Sequence, residues 1–149
     1  QNLCVIEPCL SRSVPSQISF KVNQAYGISC VGICLNNVVK ALRYRCQGTV
    51  HITVVSSTKQ GCFMLMHNGH GLHHTDTAKN NKSVGNGYQD GETVTVEFNP
   101  TTGIVTYTNS RKEVLCRQET GIQSSEKSPI SFCVLMDYSE QEVAIVADR

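Results

Sequence analysis

The chain has 149 residues, the size of one domain able to bury a core without covalent staples. Hydrophobic residues make up 40% and charged residues 17%, with no long polar tract, which excludes a disordered chain. A net charge of +1 and a pI near 7.7 give no footprint for nucleic acid or an anionic membrane, and no apolar run is long enough to span a bilayer. The whole of 1–149 reads as a single domain, and a start at Gln1 reads as a piece excised from a larger protein.

The chain reads as short strands from start to finish. "ISFKV" alternates, with Ile18, Phe20 and Val22 on one face. "GISCVGICL" is almost continuously apolar, as expected of a central strand covered on both sides. "NNVVKALRYRC" is the nearest approach to a helix, and it reads equally as a strand aligning Leu42, Tyr44 and Cys46. "TVHITVV" places Val50, Ile52 and Val54 on one face, and "CFMLM" is a short buried strand. "ETVTVEF" alternates with Val94, Val96 and Phe98 inward. "NPTTG" and "NSRKE" are turns, and "GIVTYT", "ISFCVLM" and "EVAIVA" complete the strands. Many short strands with regular turns predict an all-β, antiparallel two-sheet sandwich of jelly-roll type.

Eight cysteines invite a disulfide framework, but a chain of this length does not need one. Cys30, Cys34, Cys62 and Cys133 lie in apolar runs, where cysteine behaves as a small hydrophobe. Reduced thiols and a cytoplasmic location are the expectation.

The chemically densest stretch is "HNGHGLHHTD", which holds His67, His70, His73 and His74. Gly69 and Gly71 break any helix that would align His70 with His74, and no Glu completes an HExxH pattern. The stretch is expected to be a solvated connection after "CFMLM", with no metal and no cofactor. Cys62, His67 and Asp76 are one nucleophile, base and acid trio that the sequence supplies. The apolar neighbours Phe63 and Leu65 indicate that Cys62 is buried, and no cation or helix N-terminus stands beside it to lower its pKa. There is no nucleophile elbow and no phosphate loop, since the glycines of "GNGYQDG" precede a strand. An enzyme is not expected.

The stretches "GCFMLMHNGHGLHH", "SVGNGYQDGETVTVEFNPTTGIVTYTNSRKEV" and "SPISFCVLMDYSEQEVAIV" together resemble the SPRY domain pattern. Asp90, Gly91 and Glu92 stand near that family's Gly-Asp, and Val94 and Val96 fill the strand. Asn99 takes the place of an Asp, while Gly103, Val105, Tyr107, Asn109 and Lys112 fall in line. Pro129 opens the later strand, and "ISFKV" with "GISCVGIC" is similar to the upstream pair, so the likeness covers about residues 17–147. The chain has no tryptophan; Phe63, Phe20 and Cys30 occupy slots where the family has it, and "EFNP" replaces "LDYE".

The resemblance implies a bent antiparallel sandwich whose loops at one end bind another protein. It implies no intrinsic chemistry. The expected role is a monomeric module that holds a peptide or loop of a partner, with no nucleic acid and no membrane. It would serve as the substrate-recruiting part of a ubiquitin ligase or in a signalling scaffold. The candidate contact residues, chosen because aromatics and arginines dominate interfaces, are Tyr26, Arg43, Tyr44, Arg45, His67, Asn68, His70, His73, Tyr88, Asp90 and Tyr138. The rivals are a lectin-like carbohydrate-binding sandwich and a metal-dependent enzyme on the His67–Asp76 stretch.

Overall fold

The structure is a computed structural model that describes residues 2–24, 29–44, 59–123, 125–136 and 142–146. The strands in chain order are β1 (Asn2–Ile6), β2 (Ser16–Gln24), β3 (Ser29–Leu35), β4 (Cys62–Met66), β5 (His70–His73), β6 (Lys82–Ser83), β7 (Thr93–Asn99), β8 (Ile104–Asn109), β9 (Val114–Glu119), β10 (Ile130–Met136) and β11 (Glu142–Val146). A short α-helix, α1 (Asn36–Ala41), follows β3, and a single 3-10 turn covers Thr77–Lys79. Six strands form one sheet in the order β1-β10-β3-β4-β5-β6, and five form the other in the order β11-β2-β7-β8-β9. Every strand pair is antiparallel. The expected all-β sandwich is therefore the fold.

Alternation decides which face each strand buries. On β7 the inward residues are Val94, Val96 and Phe98, with Glu97 exposed between them. On β2, Phe20 and Val22 are buried, and Ile18 is half-buried against the same core. β3 is buried along its whole length, as a nearly continuous apolar run requires. Val31 and Ile33 face the core between the sheets, and Cys30 and Cys34 face a second cluster on the sheet's other side.

A layer of polar side chains crosses the sandwich. The Tyr107 hydroxyl, on β8, lies 3.0 Å from the Phe63 carbonyl and 2.9 Å from Gln118 Oε1. Gln118 Nε2, on β9, donates to the carbonyls of Met64 and Leu72, each at 3.3 Å. Both side chains are buried, so these bonds replace lost water contacts and bind one sheet to the other.

Several sequence expectations need correction. The histidine stretch is not a solvated connection throughout, because His70–His73 pairs with β4 as β5. Residues 36–41 of "NNVVKALRYRC" form a helix, and Leu42–Tyr44 form its terminating turn, not a strand. Arg43 and Tyr44 adopt left-handed φ values of 54° and 57°, and their amides bond back to the carbonyls of Lys40 and Val39. β1, β6 and β9 were not foreseen. The "TVHITVV" run and Cys46 lie outside the described residues.

Candidate functional site

Hairpin direction divides the sandwich into two ends. One end carries α1, the Pro100–Gly103 tip between β7 and β8, and residues 120–123 and 125–129. The opposite end carries the His67–Gly69 turn between β4 and β5, the segment Val84–Glu92 before β7, and the Asn109–Glu113 tip between β8 and β9.

At that second end the Val84–Glu92 segment is tied through its backbone to the β4–β5 turn, to β9 and to β2. Tyr88 N–H donates to the His67 carbonyl at 2.9 Å, and the amides of Val84 and Gly85 donate to the Gly69 carbonyl. Asn86 N–H donates to the Leu115 carbonyl at 2.9 Å, and Gly91 N–H to Val22 O at 2.7 Å. The approach is so close that only glycine fits at Gly87, where a Cβ would stand 2.0 Å from the His67 carbonyl oxygen. Tyr88 is buried and acts as a peg: its hydroxyl lies 2.9 Å from Ser29 O and 3.2 Å from Leu65 O. On this fixed frame Asn68, Asn86, Gln89 and Asp90 are exposed, beside exposed Arg111 and Lys112 at the hairpin tip.

Of the eleven candidate residues, the structure brings His67, Asn68, Tyr88 and Asp90 to this end. Tyr88 is a correction: it supports the surface from within and offers no contact face. His70 starts β5 just behind the turn, with Nδ1 3.3 Å from Asn81 Oδ1. Arg43 and Tyr44 are exposed at the α1 end, away from the others. His73, at the far end of β5, is buried and also corrected. Tyr26, Arg45 and Tyr138 lie outside the described residues. Asn86 and Gln89 were missed, although flanking glycines in "GNGYQDG" mark a tightly turned, polar segment.

His73 and His74 are structural acceptors. His73 Nδ1 accepts Asp76 N–H at 2.9 Å, so its Nε2 carries the proton and donates to Glu119 O at 2.9 Å. His74 Nδ1 accepts Gly61 N–H at 2.9 Å. Burial pushes the pKa of His67, His73 and His74 below the ordinary histidine value of 6.5. For His73 the Glu119 carbonyl and Asp76 pull the other way while Lys79 adds to the push; for His74, Lys59 adds to it, with Cys62 and Glu126 opposing. Asp90 opposes it for His67, whose Nδ1 is buried without a partner among the described residues.

A depressed histidine pKa means that the fold holds the neutral ring. Its contribution is fully present above 6.5 and is lost as pH falls through the folded value. The urea midpoint is therefore expected to fall as pH is lowered from about 7.5 toward 5, and His73→Gln to flatten that slope. A slope unchanged in the variant would remove His73 from this role.

The Cys62, His67 and Asp76 trio is not assembled. Cys62 and His67 sit at opposite ends of β4, which five residues of strand place about 16 Å apart. Asp76 instead pairs with Lys79 at 3.3 Å near the other end. Among the described residues no group of three His, Cys, Asp or Glu has the geometry to hold a metal ion. No described helix is long and apolar enough to cross a membrane.

No sequence-family profile matches the chain, and no curated protein matches it in sequence. Among solved structures it is similar to the SPRY domain of human HERC1, with a TM-score of 0.61 at 14% identity, covering 96% of this chain and 80% of that one. Two antiparallel sheets in this order, superimposing on that domain over nearly their whole length, give the chain the SPRY β-sandwich fold.

Proposed function

We propose that the chain is a protein-interaction module that holds a peptide or loop of a partner protein at the end formed by His67–Gly69, Val84–Glu92 and Asn109–Glu113. The observation that carries this reading is the backbone-locked frame around Gly87 and Tyr88. A surface that is rigid before binding loses little conformational freedom on binding, which favours recognition by a few polar contacts. The SPRY fold supports it, and so does the dispersal of the trio that would have served catalysis. On this reading the domain acts as a monomer in the cytoplasm, with no nucleic acid or membrane, and recruits targets for a ubiquitin ligase or a signalling scaffold.

The test is selection of a displayed peptide library on the immobilised chain, followed by calorimetry with the selected sequences. Asn68→Ala and Asp90→Ala are each expected to weaken binding roughly tenfold, about 1.4 kcal/mol, while Arg43→Ala at the opposite end leaves it unchanged. Binding lost in Arg43→Ala and kept in the other two would move the site to the α1 end. A chain that selects no peptide but retains glycans on an array would be a lectin.

A further inference from the structure

The six-stranded sheet is buried on its outer face too, under a cluster in which Cys30, Cys34, Cys62, Met64, Met66 and Cys133 supply sulfur. All seven described cysteines are thiols, and Cys34, Cys62 and Cys133 are buried. Three adjacent strands bring these last three together. Cys34 on β3 is directly opposite Cys62 on β4, and Cys133 on β10 is opposite Gly32, two residues before Cys34. With no side chain on Gly32, nothing on β3 separates Cys133 from the pair. Burial pushes the Cys133 thiol well above its ordinary value, and hydrogen bonding with the Cys34 and Cys62 thiols adds to the push.

The register distinguishes the possible pairs. Leu35 N–H donates to the Gly61 carbonyl at 2.8 Å, which makes Leu35 and Gly61 a hydrogen-bonded pair. The next pair inward, Cys34 and Cys62, is then a non-hydrogen-bonded one, with Cα atoms about 4.5 Å apart and side chains at their closest. A disulfide spans Cα separations of about 4.4–6.8 Å. Cys133 is diagonal to Cys34, at about 7–8 Å. From Cys62 it is separated by two strand spacings, about 9.5 Å, and by a further two residues along the strand. Only the first pair is within reach of a disulfide without moving the backbone.

We propose that Cys34 and Cys62 are an oxidative modification site: a cross-strand disulfide that forms by exchange with a small disulfide such as oxidised glutathione while the chain folds or opens locally and exposes the pair, leaving Cys133 as a thiol. The thiolate of one cysteine attacks the glutathione disulfide and releases one glutathione thiolate, which takes up a proton. The other cysteine loses its proton, attacks the mixed disulfide and releases the second glutathione. Two protein thiols are oxidised and one glutathione disulfide is reduced to two thiols. The bond joins β3 to β4 at the α1 end and closes residues 35–61 into a covalent loop.

The test uses the whole chain, refolded in a mixed oxidised and reduced glutathione buffer and, in parallel, equilibrated in that buffer without unfolding. Both samples are acidified to stop exchange, alkylated with iodoacetamide in denaturant, digested and mapped by mass spectrometry. The expected result is one linked pair, the Cys34 peptide with the Cys62 peptide, separated by dithiothreitol, with Cys133 alkylated. Cys133→Ser keeps the link, and Cys34→Ser loses it with no new link. Recovery of Cys34 and Cys62 as alkylated peptides in both samples, or of either joined to Cys133, overturns the proposal.

Discussion

Phe63→Ala is expected to cost about 3–5 kcal/mol of folding stability, the range for emptying a fully buried aromatic site. Phe63 lies on β4 with no solvent exposure and projects into the core between the sheets. Its ring meets His73 edge-to-face at 5.1 Å between centroids and His74 at 6.2 Å. The cavity would therefore loosen the packing of both histidines whose Nδ1 atoms hold the Asp76 and Gly61 amides. Urea denaturation should show a lower midpoint at an unchanged slope, since the surface exposed on unfolding barely alters. Amide exchange at Asp76 and Gly61 should accelerate with it. A loss below about 1 kcal/mol would mean that the site collapses around the missing ring. The ring would then not be a strut between core and histidines.

The strands legible in the sequence are those whose buried face is mostly apolar. β2, β7, β8 and β10 alternate or run apolar as their packing demands. β5 and β9 were hidden for one physical reason, that polar residues occupy inward positions. His73 on β5 faces Phe63 with both ring nitrogens bonded to backbone groups. Gln118 on β9 spends its amide on Tyr107 and two carbonyls of the facing sheet. A buried polar group is indistinguishable from a solvated one until its partners are known, and those partners are more than ten residues away in sequence for Gln118. Tyr88 failed in the same way. An aromatic with a hydroxyl fits an interface and equally fits a buried peg with carbonyls to bond. At the end of the sandwich, three of the candidate residues, His67, Asn68 and Asp90, lie together. Arg43 and Tyr44 were chosen by residue type alone, and α1 carries them to the other end.

The same frame makes Gly87→Ala the sharper test of the binding end. The added methyl would stand 2.0 Å from His67 O and 2.9 Å from Gly69 N, both backbone atoms that cannot swing aside like a side chain. Relief requires the Val84–Glu92 segment to move off the β4–β5 turn, which breaks the Tyr88 N–H bond to His67 O and disturbs the hydroxyl's bonds to Ser29 and Leu65. Overpacking of this kind costs about 1–3 kcal/mol, so the sandwich should survive while the surface that displays Asn68, Asn86 and Asp90 loses its shape. Binding of the selected peptide is therefore expected to fall below detection, a larger effect than removing any one exposed side chain, and amide exchange at Tyr88 to rise. Gly91→Ala is the matched control, since a Cβ there meets nothing within 4 Å and the strain is confined to its own φ of 81°. A folded Gly87→Ala chain with a fast-exchanging Tyr88 amide and full affinity would place the partner elsewhere on the sandwich. Loss of affinity with Gly91→Ala nearly unaffected would locate it on the frame that Gly87 closes.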